Sequence, residues 1–251
     1  MELNDATVLI VDDESMLLEM FRGWLQDANY RVFTAGDGSA ALSILDRHHV
    51  DVIVSDIRMP VMDGILLLKN LTTYSIMSRS TRPPKMIFVS GFTDLEPREA
   101  YDLGCEALMH KPFTRDHFVA TVRRALRPRE ETWAEPEATQ GQQLRVALPT
   151  VLSAIDEGRI AFGRGGYCLR YSRRMMEGPV RFDIEFQGEK VSLAGHGLTR
   201  WVDPEQGLIG VEISNLDEPC REWAIDLINR QAGSSYIPRA PMLAPTFKTA
   251  R

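Results

Sequence analysis

Short apolar runs alternate with amphipathic segments through the first half of the chain. The runs are rich in β-branched residues and apolar on both faces, which is typical of strands buried in a parallel sheet. They span residues 7–11, 51–55, 86–89 and 107–109. Between the first two runs, apolar residues recur three and four positions apart, which predicts amphipathic helices. The clearest sets are Leu17, Leu18, Phe21, Trp24 and Leu25, then Ala40, Ala41, Ile44 and Leu45. The alternation predicts βαβ units with right-handed crossovers and a doubly wound parallel sheet covered on both faces.

Polar residues stand at or just beyond the end of each apolar run. Asp12 and Asp13 follow the first run, Asp56 the second and Ser90 the third, while Lys111 comes shortly after the fourth. In open α/β sheets, ligands bind outside the carboxyl ends of the strands. We therefore expect these side chains to converge on one edge of the sheet.

The residue types at this edge indicate phosphoryl chemistry. The carboxylates of Asp12, Asp13 and Asp56 would repel one another, and an all-oxygen site of this kind suits Mg²⁺. Asp56 can then act as a nucleophile that accepts a phosphoryl group. The ammonium of Lys111 and the hydroxyl of Ser90 are suited to the phosphoryl oxygens. The sequence contains no Walker loop and no arginine finger, so nucleoside triphosphate hydrolysis is not indicated and we predict that the chain is not an enzyme.

Taken singly, these residues have simpler interpretations. Asp13 and Ser15 are suitable caps for the helix that begins near Ser15, because both residue types accept hydrogen bonds from free N–H groups. Asp56 alone is compatible with a turn, and Lys111 with a solvated surface charge. The four positions together favour the phosphorylation site.

Residues 5–127 resemble the receiver domain of a bacterial two-component response regulator. The resemblance rests on four motifs in order, namely Val11-Asp12-Asp13-Glu14, then Ser55-Asp56-Ile57-Arg58-Met59-Pro60 with Met62-Asp63-Gly64, then Ser90-Gly91, and Lys111-Pro112-Phe113. It implies a flavodoxin-like, five-stranded parallel sheet of order 2-1-3-4-5. It also implies a partner, a sensor histidine kinase or phosphotransfer protein, that phosphorylates Asp56.

The same resemblance implies roles for the other site residues. Asp12, Asp13 and Asp56 would hold Mg²⁺ together with the backbone carbonyl of Arg58. Ser90 would move toward the phosphoryl group, Lys111 would pair with it, and the Lys111–Pro112 bond would be cis. Receivers often carry an aromatic switch residue three positions before the lysine, where this chain has Leu108. Signal transmission is therefore expected to use loop rearrangement or dimerisation instead of the usual aromatic switch.

Length and charge indicate two domains with no bulk positive charge. The chain has 251 residues and a net charge of −6, with 14 Lys+Arg against 18 Asp+Glu in residues 1–127 and 15 against 17 in the remainder. A DNA-binding output domain usually carries an excess of basic residues, so a nucleic acid partner is not expected. Three cysteines, Cys105, Cys168 and Cys220, are too few for a disulfide framework. We see no 18-residue apolar stretch and no signal peptide, which leads us to expect a soluble cytoplasmic protein without a membrane partner.

The second half of the chain changes from helical to strand periodicity. We predict a receiver domain at 1–127, a solvated linker at 128–143, a second domain at 144–232 and a mobile tail at 233–251. The second domain is predicted to open with a helix near Leu148 or Pro149. Glycines and prolines then separate six short runs of strand character, which predicts a small antiparallel β-barrel. These runs span residues 159–162, 166–171, 180–186, 191–193, 197–202 and 207–213, and a final helix is predicted at 220–230.

This second region resembles a PilZ domain, a receptor module for cyclic diguanylate. The resemblance rests on residues 163–169, 178–182, 197–201 and 207–213 in order and spacing. PilZ receptors carry an Arg-x-x-x-Arg stretch, of which this chain retains Arg145. Their second motif, Asp/Asn-x-Ser-x-x-Gly, falls on residues 161–166, where Gly166 alone matches. A dianionic dinucleotide needs guanidinium forks and polar side chains, and Ala161 and Gly163 supply neither.

Three outputs remain open at this point. The second domain either interacts with a downstream protein under the control of Asp56 phosphorylation, or binds cyclic diguanylate and joins that signal to phosphorylation. The third possibility is DNA binding through an arginine-rich stretch, whose members are Arg159, Arg164, Arg170, Arg173, Arg174 and Arg181. The depleted motifs favour the protein-interaction output, and receiver resemblance makes a phosphorylation-sensitive homodimer plausible.

Overall fold

The chain forms two compact units, Met1–Arg127 and Pro128–Arg251. The computed structural model describes residues 6–78, 83–91, 95–135 and 141–241. Side chains between 72 and 78 are not described. Within these ranges, every helix is too short or too polar to cross a bilayer.

The N-terminal unit is a five-stranded parallel sheet of order β2-β1-β3-β4-β5 with helices on both faces. The flavodoxin-like architecture expected from the sequence is confirmed. Its strands are β1 (Thr7–Val11), β2 (Arg31–Ala35), β3 (Val52–Asp56), β4 (Lys85–Ser90) and β5 (Ala107–His110). Its helices are α1 (Ser15–Asp27), α2 (Gly38–Leu45), α3 (Gly64–Ser78), α4 (Pro97–Leu103) and α5 (Arg115–Leu126).

The central strands of this unit are buried along almost their whole length, as their β-branched runs predict. All five residues of β1 are buried, and so are the first four of β3. On one face of the sheet, α1 and α5 pack together through Phe21 and Phe118, whose ring centroids lie 4.7 Å apart. Each such aromatic side chain stabilises the fold by about 1.5–3 kcal/mol through burial. The two helices therefore fix the strands whose ends carry the polar residues.

The C-terminal unit is a six-stranded sheet of order β6-β9-β10-β11-β8-β7. Its strands are β6 (Gln142–Leu148), β7 (Ile160–Phe162), β8 (Gly166–Arg170), β9 (Gly178–Phe186), β10 (Val191–Asp203) and β11 (Leu208–Leu216). Its helices are α6 (Arg129–Thr132), α7 (Val151–Asp156) and α8 (Glu218–Gln231). β6 and β7 are the edges among the described strands, so the sheet is a curled half-barrel where the sequence predicted a small antiparallel β-barrel.

Two strands of this unit differ from the sequence prediction. Residues 142–148, which were not assigned to a strand, form β6 just before the expected helix; β6 pairs parallel with β9, so the sheet is mixed rather than antiparallel. Leu144, Val146 and Leu148 alternate as a strand requires, but Leu144 and Leu148 are also four apart, as in a helix. The helix predicted to begin near Leu148 or Pro149 is confirmed as α7, which begins at Val151 and is capped by the Thr150 hydroxyl.

The two predicted strands at 191–193 and 197–202 are one continuous strand, β10. Gly195 and Gly197 were expected to punctuate the chain, yet they allow close strand pairing. A Cβ on Gly195 would lie 2.1 Å from the Asn215 carbonyl oxygen, and one on Gly197 would lie 2.3 Å from that of Glu212. The register shifts beside Gly197, where a bulge replaces the expected turn.

The segments expected to be a linker and a tail also contribute to the C-terminal unit. Trp133 is buried in its core and donates a 2.9 Å hydrogen bond from Nε1 to the Ile213 carbonyl. At the other end, Tyr236 is 8% exposed and Ile237 fully buried, so these two residues of the predicted mobile tail are packed against the unit. Residues 136–140 of the predicted linker and 242–251 of the predicted tail lie outside the described residues.

Candidate functional site

Three of the predicted polar side chains meet at the carboxyl edge of the parallel sheet. Asp12 follows β1, Asp56 ends β3 and Lys111 follows β5. The Lys111 Nζ lies 2.9 Å from Asp56 Oδ1 and 3.3 Å from Asp12 Oδ2. A single ammonium group therefore bridges two carboxylates that are 44 residues apart in the sequence.

Burial shapes the charges of this cluster. The Asp12 residue is 2% exposed, and this burial, with a smaller contribution from the Asp56 charge, raises the pKa of its carboxyl group. Burial alone would lower the pKa of Lys111, but the hydrogen bond to Asp56 and the charges of both carboxylates outweigh it, so the pKa is raised. The lysine is therefore held as a cation between two anions, with one negative charge left over from the three groups.

Backbone groups fix the orientation of both carboxylates. Asp12 Oδ1 accepts a 2.9 Å hydrogen bond from the Glu14 N–H, and Asp56 Oδ2 accepts one of 2.9 Å from the Arg58 N–H. Gly64 begins α3 directly against the site, where a Cβ would lie 2.3 Å from the Asp56 carbonyl oxygen. The helix-cap interpretation of Asp13 is wrong, because the cap residue of α1 is Glu14 and its N-terminus has no side-chain cap.

Asp13 and Ser90 do not join this cluster. Asp13 is exposed and lies in the bend between β1 and α1, after the strand has ended. Ser90 is fully buried, and its hydroxyl donates a 2.6 Å hydrogen bond to the Gly91 carbonyl. Leu108 lies half-buried on β5, and the Lys111–Pro112 bond is cis, as predicted. Ser90 must turn its hydroxyl away from Gly91 before it can contact a group on Asp56.

The predicted cluster of three carboxylates is a pair in this structure. Within the described part of the chain, no three Asp, Glu, His or Cys side chains are arranged as a ready metal site. The donor set at Asp12 and Asp56 is nevertheless all oxygen. Burial disfavours the Asp12 anion and so raises the pKa of its carboxyl group, and further positive charge beside it would stabilise that anion. The pair thus fits a hard divalent cation, and a third carboxylate would come from Asp13 by rotation of its exposed side chain.

The two remnants of the nucleotide motif are not neighbours in the C-terminal sheet. Arg145 is exposed on β6, whereas Gly166 begins β8, and three strands separate them in the sheet order. A Cβ on Gly166 would lie 2.0 Å from the Val211 carbonyl oxygen. Close pairing of β8 with β11 therefore explains this glycine without a ligand.

The arginine-rich stretch does not form one free basic surface. Arg159 pairs with Glu157 at 2.6 Å, and Arg170 donates a 2.8 Å hydrogen bond to the Gln206 carbonyl. Arg181 pairs with Asp217 at 2.5 Å. Arg173 and Arg174 are exposed beside a cavity of about 900 Å³, whose lining also contains Glu177, Asp203 and Glu205. Local carboxylates thus offset much of the positive charge that the sequence suggested.

A buried polar cluster in the C-terminal unit was not predicted from the sequence. Glu212 on β11 is 1% exposed and pairs with Arg200 on β10 at 2.5 Å. The Tyr236 hydroxyl donates a 3.0 Å hydrogen bond to Glu212 Oε1. The available signal was a glutamate inside the apolar run 207–213 and an arginine inside the run 197–202, but the third member, Tyr236, lies in a proline-rich segment that has no periodicity.

Comparison with known proteins agrees with the geometry of the N-terminal unit. Residues 8–123 match the family model of the response regulator receiver domain. The N-terminal unit is a response regulator receiver domain.

The receiver is also similar to curated proteins and to solved structures. Response regulator GtcR of Aneurinibacillus migulanus is 33% identical over 148 residues, which cover 58% of each chain. Transcriptional regulatory protein KdpE of Mycobacterium tuberculosis is 35% identical over 121 residues, covering 48% of this chain and 50% of that protein. The chain thus matches between half and two thirds of the length of these relatives. Chemotaxis response regulator CheY4 of Vibrio cholerae is 33% identical, with 49% of this chain and 99% of that chain covered and a TM-score of 0.43.

Proposed function

We propose that Asp56 of the receiver accepts a phosphoryl group from a sensor histidine kinase or a phosphotransfer protein, and that this controls the C-terminal unit. The observation that carries the proposal is the bridge from Lys111 to Asp12 and Asp56. The Asp56 carboxylate lies next to a cation at the open end of a parallel sheet, which supports a role for it as the nucleophile. The receiver identity of residues 8–123 supports the same chemistry.

The side chains divide the work of the transfer. A carboxylate oxygen of Asp56 forms a bond to phosphorus while the bond from phosphorus to the donor imidazole nitrogen breaks, and its electron pair returns to that nitrogen. Lys111 hydrogen-bonds the phosphoryl oxygens and offsets their charge, while the Ser90 hydroxyl rotates toward them. Asp12, Asp13, Asp56 and the carbonyl of Arg58 would hold Mg²⁺. This ion neutralises negative charge on the phosphoryl oxygens when bound.

Labelling by a small phosphodonor tests this assignment directly. We expect the full chain to incorporate phosphate from radiolabelled acetyl phosphate with Mg²⁺, and to remain unlabelled when EDTA is present from the start of the reaction. Asp56→Asn removes the nucleophile and should abolish labelling. Asp46→Asn, at the exposed end of α2, is the matched control and should label normally. Undiminished labelling of Asp56→Asn would show that another residue is the phosphoacceptor.

We propose that the C-terminal unit is a divergent PilZ-like module that acts by protein interaction rather than by nucleotide binding. Two observations support this choice: the packing role of Gly166 and the separation of Arg145 from it in the sheet. Calorimetric titration of the full chain with cyclic diguanylate tests it, and we expect no binding at micromolar concentrations. Micromolar binding would support the alternative in which the unit is a nucleotide receptor.

A further inference from the structure

A segment that follows α8, residues 233–238, lies across the loop that joins β7 and β8. Two successive backbone amides of that loop donate to it: the Arg164 N–H to the Ser235 carbonyl and the Gly165 N–H to the Tyr236 carbonyl, both at 2.9 Å. The Arg164 Nε adds a 3.1 Å hydrogen bond to the Ser234 carbonyl. We call residues 233–238 the strap. The main-chain carbonyl groups of the strap thus hold it against the loop, which is also how main-chain hydrogen bonds hold a bound peptide.

The surface beneath the strap is shaped for an aromatic side chain with a hydroxyl group. A Cβ on Gly165 would lie 2.1 Å from the Tyr236 ring, and one on Gly163 would lie 2.5 Å from the Tyr236 carbonyl oxygen. Because Gly163 and Gly165 have no side chains, the loop leaves space for the Tyr236 ring. At the end of that space, the buried Glu212 carboxylate accepts the hydrogen bond from the tyrosine hydroxyl.

The strap is held outside regular secondary structure. It follows the end of α8 and belongs to no helix or strand. Its attachments include main-chain hydrogen bonds, the Arg164 Nε bond, the burial of Tyr236 and Ile237 and the bond to Glu212, and a neutral hydrogen bond contributes about 1 kcal/mol in net terms. A segment of this kind can leave its site without unfolding the sheet.

We propose that the strap is a displaceable internal ligand, and that the groove beneath it docks an extended segment of a partner protein. The partner segment presents a tyrosine followed by an aliphatic residue, because Tyr236 and the fully buried Ile237 occupy the groove in that order. Its carbonyl groups meet the N–H groups of Arg164 and Gly165, and its phenol meets Glu212. This inference rests on the proposed protein-interaction role of the C-terminal unit and specifies the surface and the partner chemistry.

Competition by the strap gives the proposal a measurable signature. A tethered segment has an effective concentration of about 1 mM, so a free peptide at micromolar concentration cannot displace an intact strap. We therefore expect a fluorescent peptide of residues 233–241 to bind the full-length Tyr236→Ala variant at least 10-fold more tightly than the unaltered chain. Hydrogen exchange at the Arg164 and Gly165 amides should rise in the same variant, because the strap no longer covers them.

Two glycine variants separate release of the strap from occupation of the groove. Gly165→Ala places a methyl group in the ring position, so it should expose the same amides yet fail to bind the peptide. Gly233→Ala is the matched control within the strap, because nothing lies within 4 Å of its Cβ, and it should behave like the unaltered chain. If Tyr236→Ala does not fold, Tyr236→Phe loses only the hydroxyl. It should raise exchange about 10-fold, as expected for loss of a hydrogen bond to a charged group.

Three outcomes would overturn the proposal. They are equal peptide binding by the unaltered chain and Tyr236→Ala, faster amide exchange in Tyr236→Ala without peptide binding, and unchanged exchange in Tyr236→Phe. Dimerisation of the unaltered chain that Tyr236→Ala abolishes would identify a second copy as the occupant and would reject a partner protein. None of these measurements involves phosphate, so their failure leaves the Asp56 assignment standing. If Asp56 is not labelled, in turn, the strap proposal is still decided by the peptide-binding and exchange measurements alone.

Discussion

Removal of the bridging ammonium should destabilise the receiver by an amount that the local geometry defines. Lys111→Met leaves the Asp12 and Asp56 carboxylates, whose side chains are 3% and 13% exposed, without their common cation. Breaking a buried ion pair by removing one partner costs about 3–5 kcal/mol. Because the lysine side chain is itself 30% exposed, we expect the lower figure, about 3 kcal/mol. Asp12→Asn in the same background should recover about 1–2 kcal/mol, since it removes one of the two uncompensated charges.

The assay must report on the receiver alone. Trp24 lies in the receiver, but Trp133, Trp201 and Trp223 lie in the C-terminal unit, so tryptophan fluorescence would follow mainly the wrong transition. Native-state hydrogen exchange of the β1 amides reports the receiver's free energy of unfolding directly. Lys69→Met, exposed on α3, is the matched control. Equal protection in Lys111→Met and Lys69→Met, or no recovery on adding Asp12→Asn, would refute the buried-charge argument.

Three further predictions follow from other contacts. Val61 is a β-branched residue at φ 65°, so Val61→Gly should raise the receiver's unfolding free energy by about 1 kcal/mol in the same exchange assay; a decrease would contradict backbone strain at this residue. Trp133→Ala should cost the C-terminal unit about 3–5 kcal/mol in urea unfolding followed by circular dichroism, and an unchanged midpoint would contradict its place in the core. The raised pKa of Lys111 means that its stabilisation is fully present below its ordinary value of 10.5 and is lost as pH rises through the raised pKa. Unfolding free energy should therefore fall more steeply in this alkaline range for the unaltered receiver than for Lys111→Met.

The receiver site was predictable because short apolar runs identify its strands, and the parallel topology determines where their ends lie. Apolar runs identify the strands, and parallel strands bring their carboxyl ends to one edge, so Asp12, Asp56 and Lys111 had to meet. What sequence reasoning missed is the direction of individual side chains. Asp13 points to solvent, and the Ser90 hydroxyl is bonded to its neighbour's carbonyl.

The C-terminal unit was less predictable for two reasons. Its apolar pattern fits the period of a helix as well as that of a strand, and its glycines are compatible with turns as well as with close strand pairing. Leu144 and Leu148 suit a helix as well as a strand, and only pairing with β9 selects β6. Gly195 and Gly197 resemble turn residues, but close strand contact requires them. Tyr236 and Ile237 are two apolar residues in a proline-rich segment, which is too little periodicity to indicate a packed element.

The burial of Trp133 decides where this protein can be cut and rejoined. Its indole is bonded to β11, and Asn215 donates to its carbonyl at 3.3 Å, so Trp133, which precedes β6, is a structural part of the C-terminal unit. A fusion that joins a foreign receiver at residue 144 would discard this tryptophan along with the first two residues of β6. A junction between Arg127 and Pro128 keeps both units whole. Exchange of input domains between regulators should therefore succeed at that bond and fail 16 residues later.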